Sequence, residues 1–334
     1  MIDPTDSRAL HHINNWRTSH LYPMNTFSAT LRKKLRRYKK KTIVAQRLKR
    51  LSTILNKIQR YPDMRLSSMQ DIGGIRAILY DINDVYKLRD EYVNGTRLSH
   101  RLCREEDYIA NPKPDGYRGI HLIYEYNNTL ARNGKAKQYK GLFIEIQIRS
   151  ELQHTWATAV ESMGVFLGES FKNGYGNEEW RSFFSLVSSA FAFFENSKEN
   201  NYSADTNLNE ILKEIVRLDK KLHALDQMRT FANVGKDILS ENIKRGRSLR
   251  KMHYTIISLD LETRTVYIAP YSKDREKEAV KEYEKLEKRG DRYDQVLVSV
   301  SSLASLSDAY PNYFLDMNNF LDKITIILEE YLKL

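Results

Sequence analysis

Residues Phe143-Ile144-Glu145-Ile146-Gln147-Ile148-Arg149 alternate apolar and polar side chains without a break after the first. On a strand, alternate side chains face opposite sides. Ile144, Ile146 and Ile148 therefore point into a core, and Glu145, Gln147 and Arg149 form a row on the other face. A rigid row of acid, amide and guanidinium suits the floor of a cleft that holds a metal and a phosphorylated ligand. Taken alone, the segment reads equally well as an amphipathic edge strand with a wetted polar face.

Upstream, the β-branched content from Ile72 to Tyr80 predicts a buried strand with Asp71 at its mouth. Gly73-Gly74 signals a bulge or a close approach by another group. A helix is expected over Asp84–Val93. Prolines and Asp-Gly make a loop of Asp107 to His121, which runs into a strand through Tyr126. Tyr117 in that loop could stack on a base or simply cover a core edge. The residues Val44, Leu48, Leu51, Leu55 and Ile58 recur at helical spacing, so Thr42 to Arg60 reads as one helix. Arg47, Arg50 and Lys57 lie along one flank of it, and Lys49 further round. Downstream, Glu151–Met163 and Trp180–Phe194 read as helices.

With 334 residues, the chain has room for one large or two medium domains. The expected division is a basic N-terminal helical segment (1–41), a catalytic-type domain (42–195), a polar linker (196–207), a helical connector (208–250) and a small accessory domain (251–334). The last contains strands near Tyr254–Leu259, Thr265–Ala269 and Val296–Val300 and a helix from Arg275 to Lys288. The fold class is α/β (α+β): a mixed β-sheet flanked by helices, with a second, smaller α/β unit at the C-terminus. One cysteine, Cys103, rules out an intramolecular disulfide and CxxC zinc sites. No apolar run approaches the ~20 residues of a membrane span, so a cytoplasmic protein with no membrane partner is expected. The net charge of +11 favours polyanionic ligands. Much of it sits in Arg32–Lys41, which could meet RNA, an acidic surface or water alone.

Asp71 and Glu145 fall on separate segments that could be neighbours. Two carboxylates with Lys and Arg close by have the composition of a magnesium–nucleotide site, because Mg²⁺ takes one or two carboxylates and completes its shell with phosphate oxygens and water. Asp71 could equally be a turn or capping residue. His121 by itself reads more readily as structural than as catalytic. GxxxxGK[ST], GxGxxG and HExxH are all absent, which removes the main support for P-loop, Rossmann and zincin readings.

Four segments then fall in a familiar order: Arg47-x-Lys49 with Thr53-Ile54 and Lys57; Asp71-Ile72-x-Gly74-x-Arg76; Tyr108-Ile109-x-x-Pro112-Lys113-x-x-Gly116-Tyr117-Arg118-x-x-His121; and Glu145-Ile146-Gln147-Ile148-Arg149. Together they resemble the synthetase domain of RelA/SpoT-type alarmone synthetases over roughly residues 40 to 165. The resemblance implies a mixed sheet and a pyrophosphokinase that moves the β,γ-diphosphate of ATP to the 3′-hydroxyl of GDP or GTP, releasing AMP. It implies that Asp71 and Glu145 bind Mg²⁺, with Glu145 helping to deprotonate the acceptor. Arg47 and Arg76 would sandwich the adenine, and Lys49 and Lys57 reach ATP phosphates. Tyr117 would stack on the acceptor base with Lys113 and His121 near its phosphates, while Gln147 and Arg149 line the same floor. Because strand parity separates Asp71 from Arg76, Asp71 must precede the regular strand or Gly73-Gly74 must break the alternation.

Two positions depart from the family pattern: Asp115 stands in place of Asn and Ser150 in place of Thr. The family's His-Asp hydrolase has no counterpart here, so synthesis without degradation is expected. A toxic relative that modifies the tRNA 3′ end or adenine nucleotides is the alternative, with the Arg32–Lys41 run as a landing surface. A non-catalytic nucleotide or RNA sensor is another, and the C-terminal unit could be a built-in inhibitor. A homo-oligomer stays open.

Overall fold

The computed structural model describes residues 7–95, 99–127, 134–171, 175–195, 208–232, 253–263, 265–287, 292–299, 310 and 317–332. Two helices open the chain, α1 (Ser7–Ser19) and α2 (Leu21–Leu35). Then follow β1 (Ile43–Leu48), α3 (Leu51–Arg60), β2 (Gly73–Leu79), α4 (Ile82–Val93), β3 (Arg101–Asp107), β4 (Ile120–Glu125) and β5 (Phe143–Ser150). Helices α5 (Glu151–Leu167), α6 (Glu178–Phe194) and α7 (Leu208–Leu222) precede β6 (Tyr254–Asp260), β7 (Val266–Tyr271), α8 (Glu276–Glu287), β8 (Tyr293–Ser299) and α9 (Asn318–Leu332).

The alternation of β5 is realised: Ile144, Ile146 and Ile148 are fully buried. They pack with Ile75, Ala77 and Leu79 of β2 and Ile120 and Leu122 of β4 beneath α2 and α4. Each of these strands carries its apolar set on one face, so their register is fixed by burial. Strand β2 runs parallel to β5, placing Gly74 beside Glu145 and Arg76 beside Gln147. Strand β4 runs antiparallel to β5 with His121 opposite Gln147. The expected mixed sheet flanked by helices is therefore present.

Two features differ from the sequence reading. The helix expected from Thr42 is a strand followed by a helix that starts at Leu51. Val44 and Leu48 are four apart, which puts them on one face of either a helix or a strand, so that spacing could not discriminate. The β-branched run Thr42-Ile43-Val44 and pairing of β1 with both β2 and β8 decide for the strand. Arg47 and Lys57 consequently sit on different elements.

Second, the C-terminal strands extend the same sheet. Its order is β3-β4-β5-β2-β1-β8-β6-β7, with Arg47 of β1 opposite Val298 of β8. Without β8, β1 would leave a row of unpaired backbone groups at an open edge. Polar ties reinforce the join. The buried Arg17 guanidinium meets Glu287 at 2.7 Å, and the other Glu287 oxygen accepts the Leu51 amide that opens α3. Arg50 pairs with Asp294. The linker expected at 196–207 lies outside the described residues, as does the connector beyond residue 232. No helix among the described residues is long and apolar enough to cross a membrane.

Candidate active site

The polar face of β5 and the strands beside it form the floor of a cavity of about 570 Å³. Its donors make one continuous chain. Arg149 donates through Nε and Nη2 to the Tyr117 hydroxyl, at 3.1 and 2.8 Å. His121 Nε2 lies 2.5 Å from the same hydroxyl. His121 Nδ1 lies 2.9 Å from Glu145 Oε1 and must donate, because a carboxylate can only accept. Gln147 gives its amide hydrogen to the other Glu145 oxygen at 2.8 Å, and its carbonyl accepts from Arg149 at 3.1 Å. Burial pushes the Glu145 carboxyl up, but the His121 and Gln147 bonds, with the Lys49 charge, outweigh it and hold the group down at about 2.

Asp71 immediately precedes the short lead into β2, which starts at Gly73, so strand parity does not constrain it. Lys49 and Lys57 donate to its two oxygens at 2.7 and 3.2 Å. Lys49 follows β1 and is anchored by its amide on the Ile72 carbonyl, while Lys57 rises from α3. Asp71 and Glu145 line the same cavity, with Arg47, Lys49, Lys57 and Arg76 around them. Among the described residues no three His, Cys, Asp or Glu side chains cluster as metal ligands. Two carboxylates facing one cavity nevertheless fit a hard cation whose shell is completed by phosphate oxygens and water. The Lys49 ammonium already places positive charge where both acids feel it.

A smaller space of about 180 Å³ adjoins the first, sharing Arg47, Arg76, Lys113, His121 and Gln147 and adding Asp115, Tyr117 and Arg149. All eleven side chains singled out from the sequence therefore meet at these two spaces. Burial, then the charges of Arg149 and Arg47, lower Arg76 to about 10. Over the Tyr117 ring lie Arg149 at 4.9 Å and Lys113 at 5.2 Å, and Tyr108 meets it edge-on.

The Tyr117 loop is held from outside. Gly116 has φ +87°, and a side chain there would come within 2.9 Å of the Ser185 backbone and 3.1 Å of Trp156. Ser188 of α6 donates to its carbonyl at 2.5 Å. Gly116→Ala is expected to cost about 2 kcal/mol or more in urea unfolding, since backbone strain and overlap add. An unchanged midpoint would contradict that packing.

Sequence reasoning missed Tyr310. It lines the larger cavity beside Arg47 and Arg76, is 2% exposed, and donates its hydroxyl to the Gln46 carbonyl at 3.0 Å. Burial pushes that hydroxyl up to about 12, with Arg76 and Arg47 opposing. No local pattern around Tyr310 marks it. Arg104 and Glu106 on the unforeseen strand β3 also line the wall.

Residues 46–164 match the family model described as a region found in RelA / SpoT proteins. The chain carries a RelA/SpoT-type domain. It is 30% identical over 122 residues to the GTP pyrophosphokinase YjbM of Bacillus subtilis, covering 36% of this chain and 54% of that protein. To the GTP pyrophosphokinase YwaC of the same organism it is 33% identical over 118 residues, covering 34% and 52%. The chain thus spans about half the length of the curated relatives it matches. The solved small alarmone synthetase 1 of Bacillus subtilis, bound to its product pppGpp, aligns with a TM-score of 0.44 at 23% identity over 54% of this chain and 91% of that one. All the sequence-derived site residues fall inside the matched region, whereas Tyr310 and helix α6 lie beyond it.

Proposed function

We propose that this protein transfers the β,γ-diphosphate of ATP to the 3′-hydroxyl of GDP or GTP, releasing AMP. The observation that carries this is the meeting of Asp71 and Glu145 at one cation-rich cavity, with the Tyr117 space opening beside it. The names of the two Bacillus subtilis relatives agree with it. Arg47 and Arg76 take the adenine side, and Lys49 and Lys57 exchange Asp71 for ATP phosphates. Tyr117 takes the acceptor base and Lys113 its phosphates. Asp71 and Glu145 would hold Mg²⁺, which supplies positive charge to the diphosphoryl group. A carboxyl held near 2 is poorly matched to taking a proton at neutral pH. Glu145 therefore serves better as a charged ligand that also orients His121 than as the general base.

The test incubates the full chain with Mg²⁺, β,γ-labelled ATP and, separately, GDP, GTP, ATP or deacylated tRNA. Label on GDP or GTP is the expected result, and label on tRNA or ATP alone would replace the acceptor assignment. Helix α2, whose last turn opens the Arg32–Lys41 run, packs its apolar side on the sheet face opposite the cavity floor. That placement favours a free nucleotide over tRNA.

The C-terminal part fits a built-in inhibitor, because Tyr310 occupies space beside the two guanidinia assigned to adenine. An adenine entering between those guanidinia has to displace the ring, so Tyr310→Ala is expected to lower the KM for ATP roughly fivefold and leave the acceptor KM unchanged. A raised KM for ATP would make the ring a wall of the adenine site instead.

A further inference from the structure

We infer that Glu195, at the end of α6 and outside the matched region, is a positioning residue for the acceptor subsite. It holds together the two backbone segments that carry Tyr117 and Arg149. The inference rests on the diphosphate-transfer reading for its functional consequence, and on geometry for the tether itself.

The Arg118 and Glu195 side chains are 2% and 4% exposed, and Arg118 Nη1 meets Glu195 Oε2 at 2.7 Å. Gln153 donates to that same oxygen at 3.2 Å, and the Ser150 hydroxyl donates to the other. Ser150 at the same time caps α5: its hydroxyl accepts the Gln153 amide at 3.1 Å, and its own amide reaches the Gln153 side-chain carbonyl at 3.0 Å. Arg118 is the residue after Tyr117, and Ser150 the residue after Arg149. Since Arg149 also bonds the Tyr117 hydroxyl, the contacts close a ring: Tyr117, Arg118, Glu195, Ser150, Arg149 and back to Tyr117.

A buried ion pair adds little net stability compared with a well-packed apolar pair. What it adds here is direction. The carboxylate has three donors converging from a loop, a strand end and a helix, so the loop cannot shift without leaving buried charge unmatched. Ser188 on the Gly116 carbonyl fixes the same loop from one and a half to two turns earlier on α6.

The test compares the full-length wild type with Glu195→Gln and with the double variant Arg118→Met/Glu195→Leu, which removes both charges and keeps the volume. Two readouts are used: steady-state KM for GDP and for ATP, and amide hydrogen exchange over residues 113–121. Both variants are expected to raise the KM for GDP by about tenfold, as small misplacements near reacting groups do, with the KM for ATP within about twofold. Loop amides are expected to exchange about tenfold faster while those of β2 and β5 stay protected. Equal losses for GDP and ATP, or unchanged loop exchange, would overturn the inference. So would a double variant that fails to fold, because the pair would then be a requirement of the core. If the wild type transfers label to no acceptor, the function reading falls, and loop exchange still decides whether Glu195 holds the loop.

Discussion

Glu145→Gln is expected to cut diphosphate transfer by about 10³-fold or more, as loss of a preorganised charge in a buried site does. The substitution keeps the shape of the side chain and an oxygen for His121, but removes the charge on which His121, Gln147 and Lys49 converge. Without it, the cavity keeps Asp71 and the Arg104-paired Glu106 against a surplus of Lys and Arg, and a divalent cation loses one of its two acidic ligands. The same substitution has a signature in stability. The folded Glu145 carboxyl, held near 2 against an ordinary value of 4.5, contributes stability that is fully present above pH 4.5 and is lost as pH falls through 2. The variant should therefore unfold at lower urea than wild type at pH 7, and the gap should narrow between pH 4.5 and 2. Wild-type turnover would remove Glu145 from the site's chemistry, and a gap independent of pH would remove the charge network.

How much of this arrangement the chain spells out locally depends on the distance over which each feature is decided. The alternation of Phe143–Arg149 is decided within seven residues, and its faces are those observed, with the isoleucines buried. The position of Asp71 ahead of β2 was one of two options that parity left open. The β1 segment is different, because Val44 and Leu48 satisfy two periodicities and the strand partners that choose between them lie some 30 and 250 residues away. Tyr310 and Glu195 are further cases of the same kind. Neither sits in a recognisable pattern, and each acquires meaning from what the fold sets against it: Gln46, Arg47 and Arg76 in one case, Arg118 and Ser150 in the other. Residues that touch a ligand recur in recognisable strings, whereas residues that brace them are recognised by contacts across the sheet.

Tyr117→Ala is expected to raise the KM for a guanine-nucleotide acceptor by about 10- to 100-fold and to change the KM for ATP less than about twofold, since stacking a base on an aromatic ring is worth about 1–3 kcal/mol. The asymmetry follows from placement. Tyr117 lines the smaller space and is missing from the wall of the larger one, which holds Asp71, Lys49 and Lys57. The ring is orientated through its hydroxyl by Arg149 and His121, so a base approaching its face meets a surface already fixed. Lys113 lies over that ring at 5.2 Å and over Tyr108 at 4.3 Å. A base stacking there displaces the flexible lysine, whose ammonium is then available to the acceptor's phosphates. Tyr117→Phe separates the two contributions: it keeps the stacking face and loses the ties to Arg149 and His121, so its KM should fall between those of wild type and Tyr117→Ala. Equal losses for ATP and acceptor in Tyr117→Ala would show that the ring braces the whole floor, and the acceptor base would then have to be placed elsewhere in the cavity.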